Sequence, residues 1–166
     1  MGFAIPKREN RLTVFSADNS CERHAFVMQR QEFFMMAYLW VALGGALGSV
    51  ARFWLSLVIA ARYGETFPWN TLVINVTGSF VIGILGALAQ SGIDGAQRAT
   101  VVAFVMYGIC GGYTTFSSFS LQTLNLLQKG EWLYAAGNIL GSVIFCMIAV
   151  WLGWLLGAAF NSMKGV

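Results

Sequence analysis

The chain has 166 residues, 57% of them hydrophobic and 10% charged, with a formal net charge of +3 and a mean hydropathy of +0.66. A soluble domain carries about a quarter charged residues, so this composition excludes an ordinary soluble fold and points to one compact all-α membrane domain. No run of basic residues interleaved with aromatics occurs, which speaks against nucleic acid as a partner, and the scattered Cys21, Cys110 and Cys146 suggest neither a disulfide frame nor a metal site.

Residues 1–34 read as a polar N-terminal extension. Five of the ten basic residues (Lys7, Arg8, Arg11, Arg23 and Arg30) lie there among Glu9, Asp18, Glu22 and Glu32. A short helix is expected around residues 22–31. No apolar stretch with a cleavage site precedes the first span, so the segment resembles a tail or an appended leader rather than a signal peptide.

Four apolar blocks follow, at about residues 33–61, 69–89, 99–127 and 132–160. A hydrocarbon core of about 30 Å needs about 20 helical residues, and each block supplies them. The predicted four-helix membrane unit is residues 35–161, with a short tail at 162–166. The connections are short and carry breakers: Gly64 and Pro68, then Gly92, Asp94 and Gly95, then Gly130. Short loops predict antiparallel neighbours. The pairs Gly44/Gly48, Gly108/Gly112, Gly137/Gly141 and Gly153/Gly157 each set glycines one turn apart, which predicts close helix contacts within the chain and between subunits.

Charge leaves the orientation open. Outside the extension, Arg98 and Lys164 share one predicted side, and Arg62 and Lys129 share the other. Either the N-terminal basic residues place both termini in the cytoplasm, or the core inserts both ways and pairs as an antiparallel dimer.

The spans carry one charge, Arg52, and no acid, lysine or histidine well inside them. That inventory disfavours an enzyme, since a hydrolytic nucleophile needs a nearby base. It also disfavours a small multidrug-type exporter, which would want a membrane carboxylate, and an acid-ringed cation pore. Arg52 either satisfies carbonyls at a helix end or attracts anions at a vestibule. The neutral donors are Asn75 in the second block and Asn138 with Ser142, four residues apart, in the fourth. Each is helix-to-helix glue or a donor to a partly dehydrated anion.

The third block contains the densest signal, residues 111–120: Gly111-Gly112-Tyr113-Thr114-Thr115-Phe116-Ser117-Ser118-Phe119-Ser120. Two glycines and several hydroxyls inside an apolar run predict a helix broken in mid-membrane, which is tolerated only in protein or beside a water-filled path. Exposed carbonyls at such a break suit a cation. Phe116 and Phe119, three apart, are packing residues or present positive ring edges to an anion.

These motifs together resemble a known family, the small fluoride channels of microbes. The resemblance spans about residues 36–160 and rests on Gly44-Gly45-Ala46-Leu47-Gly48-Ser49-Val50-Ala51-Arg52, on the second-span run from Asn70 to Phe80, on residues 111–120, and on Asn138 with Gly141-Ser142. It implies a multi-pass protein of the cell inner (plasma) membrane, a dual-topology antiparallel homodimer in the lipid bilayer, and passive export of cytoplasmic fluoride along two pathways. It further implies a structural sodium ion at the dimer centre, held by backbone carbonyls of Gly111 and Thr114 from both chains. Phe116 and Phe119 would line the path, with Asn75 as an amide donor and Thr115, Ser118, Asn138 and Ser142 as polar contributors. Arg52 would sit near a vestibule or interface. The chain departs from the family in Arg52-Phe53, where an Arg-Tyr pair is frequent, and in its polar extension. The remaining alternative is a membrane protein with a structural role and no transport.

Overall fold

The computed structural model describes residues 14–64, 66–90 and 95–163. Residues 1–13 of the predicted extension and 164–166 of the predicted tail lie outside the described residues. The chain divides into two units, residues 1–36 and residues 37–166.

The elements are all helical: α1 (Val14–Tyr63), α2 (Trp69–Leu88), α3 (Gly95–Val101), a π-helical segment (Val102–Cys110), the single turn α4 (Gly111–Tyr113), α5 (Phe116–Gln128) and α6 (Trp132–Met163). Four stretches are long and apolar enough to cross a membrane: Phe34–Tyr63, Trp69–Leu88, Gln97–Gln128 and Trp132–Met163. The short helix expected around residues 22–31 is part of the much longer α1. Four apolar residues at 33–36 follow directly on the polar segment, and nothing in between breaks a helix.

Two glycines end helices by adopting positive φ, where a Cβ would be strained. Gly64 (φ +74°) closes α1 by donating its N–H to Ala60 O at 2.9 Å. Gly130 (φ +79°) closes α5 in a Schellman motif: Glu131 N–H donates to Leu126 O at 2.9 Å and Gly130 N–H to Leu127 O at 3.0 Å. Pro68 stands at the N-cap of α2, where no N–H is needed.

Within residues 37–166, α2 packs chiefly along α6. Glycines set that distance: a methyl group added at Gly157 would lie 2.6 Å from Ile84 O and 2.8 Å from Ala87 Cβ. The α1 stretch after residue 36 meets the third span in the same way. A methyl at Gly108 would lie 2.9 Å from Gly44 Cα, and one at Gly112 would lie 2.5 Å from Gly45 O. Lipid gives no hydrophobic drive to hold helices together, so dispersion between closely apposed backbones does that work. Gly137 and Gly141 behave differently. Gly137 has only a Phe67 ring carbon at 3.9 Å, and Gly141 meets only Phe145 of its own helix.

Candidate ion pathway

The third span changes character twice. Nine residues, Val102–Cys110, take the wide π-helical turn, a conformation that recurs at functional sites. The α4 turn then ends at Thr114 (φ −80°, ψ 156°), and Thr115 is also extended (φ −151°, ψ 114°). Helix resumes at Phe116. Two extended residues in an apolar stretch expose peptide groups that need partners.

Asn75 on α2 supplies them. Its Oδ1 accepts from Thr115 N–H at 2.8 Å, and its Nδ2 donates to Thr115 O at 3.0 Å. One side-chain amide thus satisfies both backbone groups of one residue. Helical continuity would have sent Thr115 N–H to the carbonyl of Gly111, so that carbonyl loses its i+4 donor. Thr115 also caps the restarted helix, accepting from Ser118 N–H at 3.2 Å and donating to Ser118 Oγ at 3.0 Å. On the other side of the interruption, both Thr114 N–H and Thr114 Oγ1 donate to Cys110 O at 2.9 Å. Tyr113 Oη and Thr77 Oγ1 are hydrogen-bonded at 2.9 Å, a second tie to α2.

A cavity of about 580 Å³ lies against this point. Asn75, Gly111, Thr114, Thr115, Phe116 and Phe119 all contribute to its wall, and Ser142 joins them from α6. The two phenylalanines stand 5.2 Å apart between ring centroids at 45°, yet differ sharply in exposure. Phe119 is buried at 9%, while Phe116 is 78% exposed.

Asn138 and Ser118 lie outside that wall. Asn138 is fully buried and binds α5 to α6: its Nδ2 donates to Thr123 Oγ1 at 2.8 Å. Thr123 Oγ1 donates in turn to Phe119 O at 2.8 Å, and Ser142 Oγ donates to Asn138 Oδ1 at 3.4 Å. Arg52 is half-buried, away from the cavity, and forms no ion pair among the described residues. The sequence therefore marked seven residues that meet at one cavity and three that do not line it.

The family described as CrcB-like protein, Camphor Resistance (CrcB), matches residues 39–154. The chain belongs to the CrcB family. Among its relatives are proteins named "Fluoride-specific ion channel FluC" from Opitutus terrae, 56% identical over 131 residues (79% of this chain, 99% of that protein), and from Methylocella silvestris, 53% identical over 135 residues (78% and 99%). A third of the same name, from Rhodospirillum rubrum, is 57% identical over 130 residues (76% and 98%).

Several residues of this CrcB-family site carried no advance signal. Tyr107, Cys110, Cys146 and Met147 line the cavity but read in sequence as ordinary span residues. Thr123 reads as a surface hydroxyl until Asn138 is placed against it. Its spacing of four from Phe119 was the one available hint, because a helical threonine at that offset bonds back to the carbonyl.

Proposed function

We propose that the chain is a passive fluoride channel of the cell inner membrane, a multi-pass protein that lets cytoplasmic fluoride leave down its gradient. It performs no enzymatic step. The observation that carries the reading is the Asn75–Thr115 amide pair, which holds an interrupted helix open beside a cavity walled by Phe116, Phe119 and Ser142. The named relatives supply the identity of the ion.

A small anion is strongly hydrated, and a selective path must replace that water with fixed donors. Here the donors are neutral. Asn75 uses one Nδ2–H on Thr115 O, and an amide nitrogen carries two. Ser142 brings a hydroxyl to the same wall, Thr115 and Ser118 bring hydroxyls at the start of α5, and Asn138 fixes Ser142 from behind. Phe116 and Phe119 present ring edges of positive quadrupole. No carboxylate, histidine or lysine lines the wall among the described residues, which supports a passive path without a coupled proton.

The third span acts as a helix broken in mid-membrane, supported by the extended Thr114 and Thr115. Sodium fits the residues there. The Gly111 carbonyl lacks its i+4 donor, and ψ of 156° takes the Thr114 carbonyl out of the helical array. Neutral carbonyl oxygens suit an alkali cation. Gly111 and Thr114 of two chains would hold it, and the bound ion supplies a fixed positive charge at the centre of the assembly.

The assembly we propose is an antiparallel homodimer. Three features support it. Phe116 projects from the chain at 78% exposure, the Gly137/Gly141 face has no helix backbone closely packed on it among the described residues, and the core's loop charges are balanced. Arg52, half-buried and without an ion pair among the described residues, would sit at a vestibule or subunit boundary in this assembly.

Efflux from liposomes holding the purified chain tests the reading. Fluoride is expected to escape rapidly and chloride to be retained. Equal loss of the two ions, or no loss from folded dimers, overturns it.

A further inference from the structure

A second cavity, about 250 Å³, lies between the α1–α2 turn and the C-terminal half of α5. It follows the first along two helices. On α5, Phe119 walls the first cavity and Gln122 the second, three residues apart on one helix face and about 4.5 Å along its axis. On α2, Asn75 walls the first and Asn70 the second, about 7.5 Å apart in rise. Between those two helices Gln122 Nε2 donates to Asn70 Oδ1 at 3.4 Å, a long bond that yields easily.

The second cavity opens outward at the membrane–water boundary. Gly64, Asn125 and Lys129 on its wall are exposed, whereas Pro68 and Leu126 are buried. Phe67, also on the wall, packs on Trp69 at 4.7 Å and Tyr134 at 6.3 Å between centroids, and Trp132 is exposed. Tryptophan and tyrosine gather at headgroup level.

Its charge favours an anion. Among the described residues Lys129 is the charged side chain on this wall, and it forms no ion pair; Arg62 and Glu131 lie off it. The carbonyls that end α5 would repel an anion if they were bare. They are occupied instead: Asn125 O accepts from Lys129 N–H at 3.1 Å, Leu127 O from Gly130 N–H at 3.0 Å and Leu126 O from Glu131 N–H at 2.9 Å. Asn125 adds an amide with two N–H donors beside the lysine.

We propose that this polar pocket is an outer chamber of the anion path, in which Lys129 gathers the hydrated halide and Asn125 holds it before it passes between α2 and α5 to Phe119. The proposal rests on the fluoride-channel reading above and adds a capture step to it. Lys129 acts on arrival, as a field that concentrates anions at the mouth, so its effect is screened by salt.

Fluoride efflux from liposomes, with the ionic strength set by an impermeant potassium salt, tests this. The wild type is expected to slow about threefold between about 10 and about 300 mM salt. Lys129→Gln should slow low-salt efflux about threefold, match the wild type at high salt and lose the salt dependence, and Lys129→Arg should restore it. Asn125→Trp, a plug at an exposed position, should slow efflux at least about tenfold at both salts while eluting as the folded wild type does. Equal slowing of Lys129→Gln at both salts overturns the capture role, and unchanged efflux in folded Asn125→Trp overturns the chamber, both with the channel reading intact. A folded wild type that passes no fluoride overturns that reading and this one with it.

Discussion

The two halves of the third span are held by different physics. Before the interruption, the π-helical segment and α4 lie backbone to backbone against α1, with Gly44 facing Gly108 and Gly45 facing Gly112. After it, α5 is held by side-chain amides and hydroxyls: Asn75 to Thr115, Asn138 to Thr123. The first attachment depends on the absence of side chains, the second on their presence. A channel needs both, one to fix the frame and one to keep polar atoms at a defined place in an apolar medium.

Breaking the first attachment should do the most damage. Gly108→Leu forces a side chain into Gly44 Cα, where backbone stands on both sides. We expect no monodisperse folded protein by size-exclusion chromatography in detergent, since overpacking against backbone exceeds the usual 1–3 kcal/mol or so. Asn75→Leu comes next. It strips partners from both Thr115 peptide groups, at a cost of about 1–3 kcal/mol for each orphan, and fluoride efflux should fall at least about tenfold.

The α5–α6 tie allows a finer test. Asn138→Leu leaves one lone pair of Thr123 Oγ1 unused, and Thr123→Val leaves the Asn138 amide buried without its acceptor. Each single change should cost about 1–3 kcal/mol in thermal unfolding, whereas the pair together should cost markedly less than the sum. A strictly additive result would show that the hydrogen bond contributes nothing. Phe116→Ala should have the smallest effect on the isolated chain's stability, about 0.5 kcal/mol or less, because the ring is largely exposed. Its effect on fluoride efflux should nevertheless be pronounced, and unchanged flux would remove Phe116 from the pathway.

Much of this frame was legible in the sequence because membrane spans are written in composition. The block expected at residues 69–89 became Trp69–Leu88, and the breakers Gly64 and Gly130 end helices as their φ values require. Three of the four glycine pairs mark close contacts within the chain, and Gly137/Gly141 does not. What escaped was conformation that leaves no compositional trace. The π-helical turn over Val102–Cys110 shifts hydrogen bonds by one residue without asking for any particular side chain. The partnership of Asn75 with Thr115 joins residues 40 positions apart, and nothing local to either announces it. Arg52 illustrates the reverse case, a conspicuous charge that lies off the cavity.

The cap at Thr115 has one more consequence. Because α5 begins there, at the cavity wall, its aligned peptide dipoles place about half a positive elementary charge beside the cavity. Thr115 occupies the Ser118 N–H, but the first turn has other N–H groups. An anion in the cavity would meet attraction that belongs to the backbone itself. No proton can neutralise it, and no acid in the medium can switch it off.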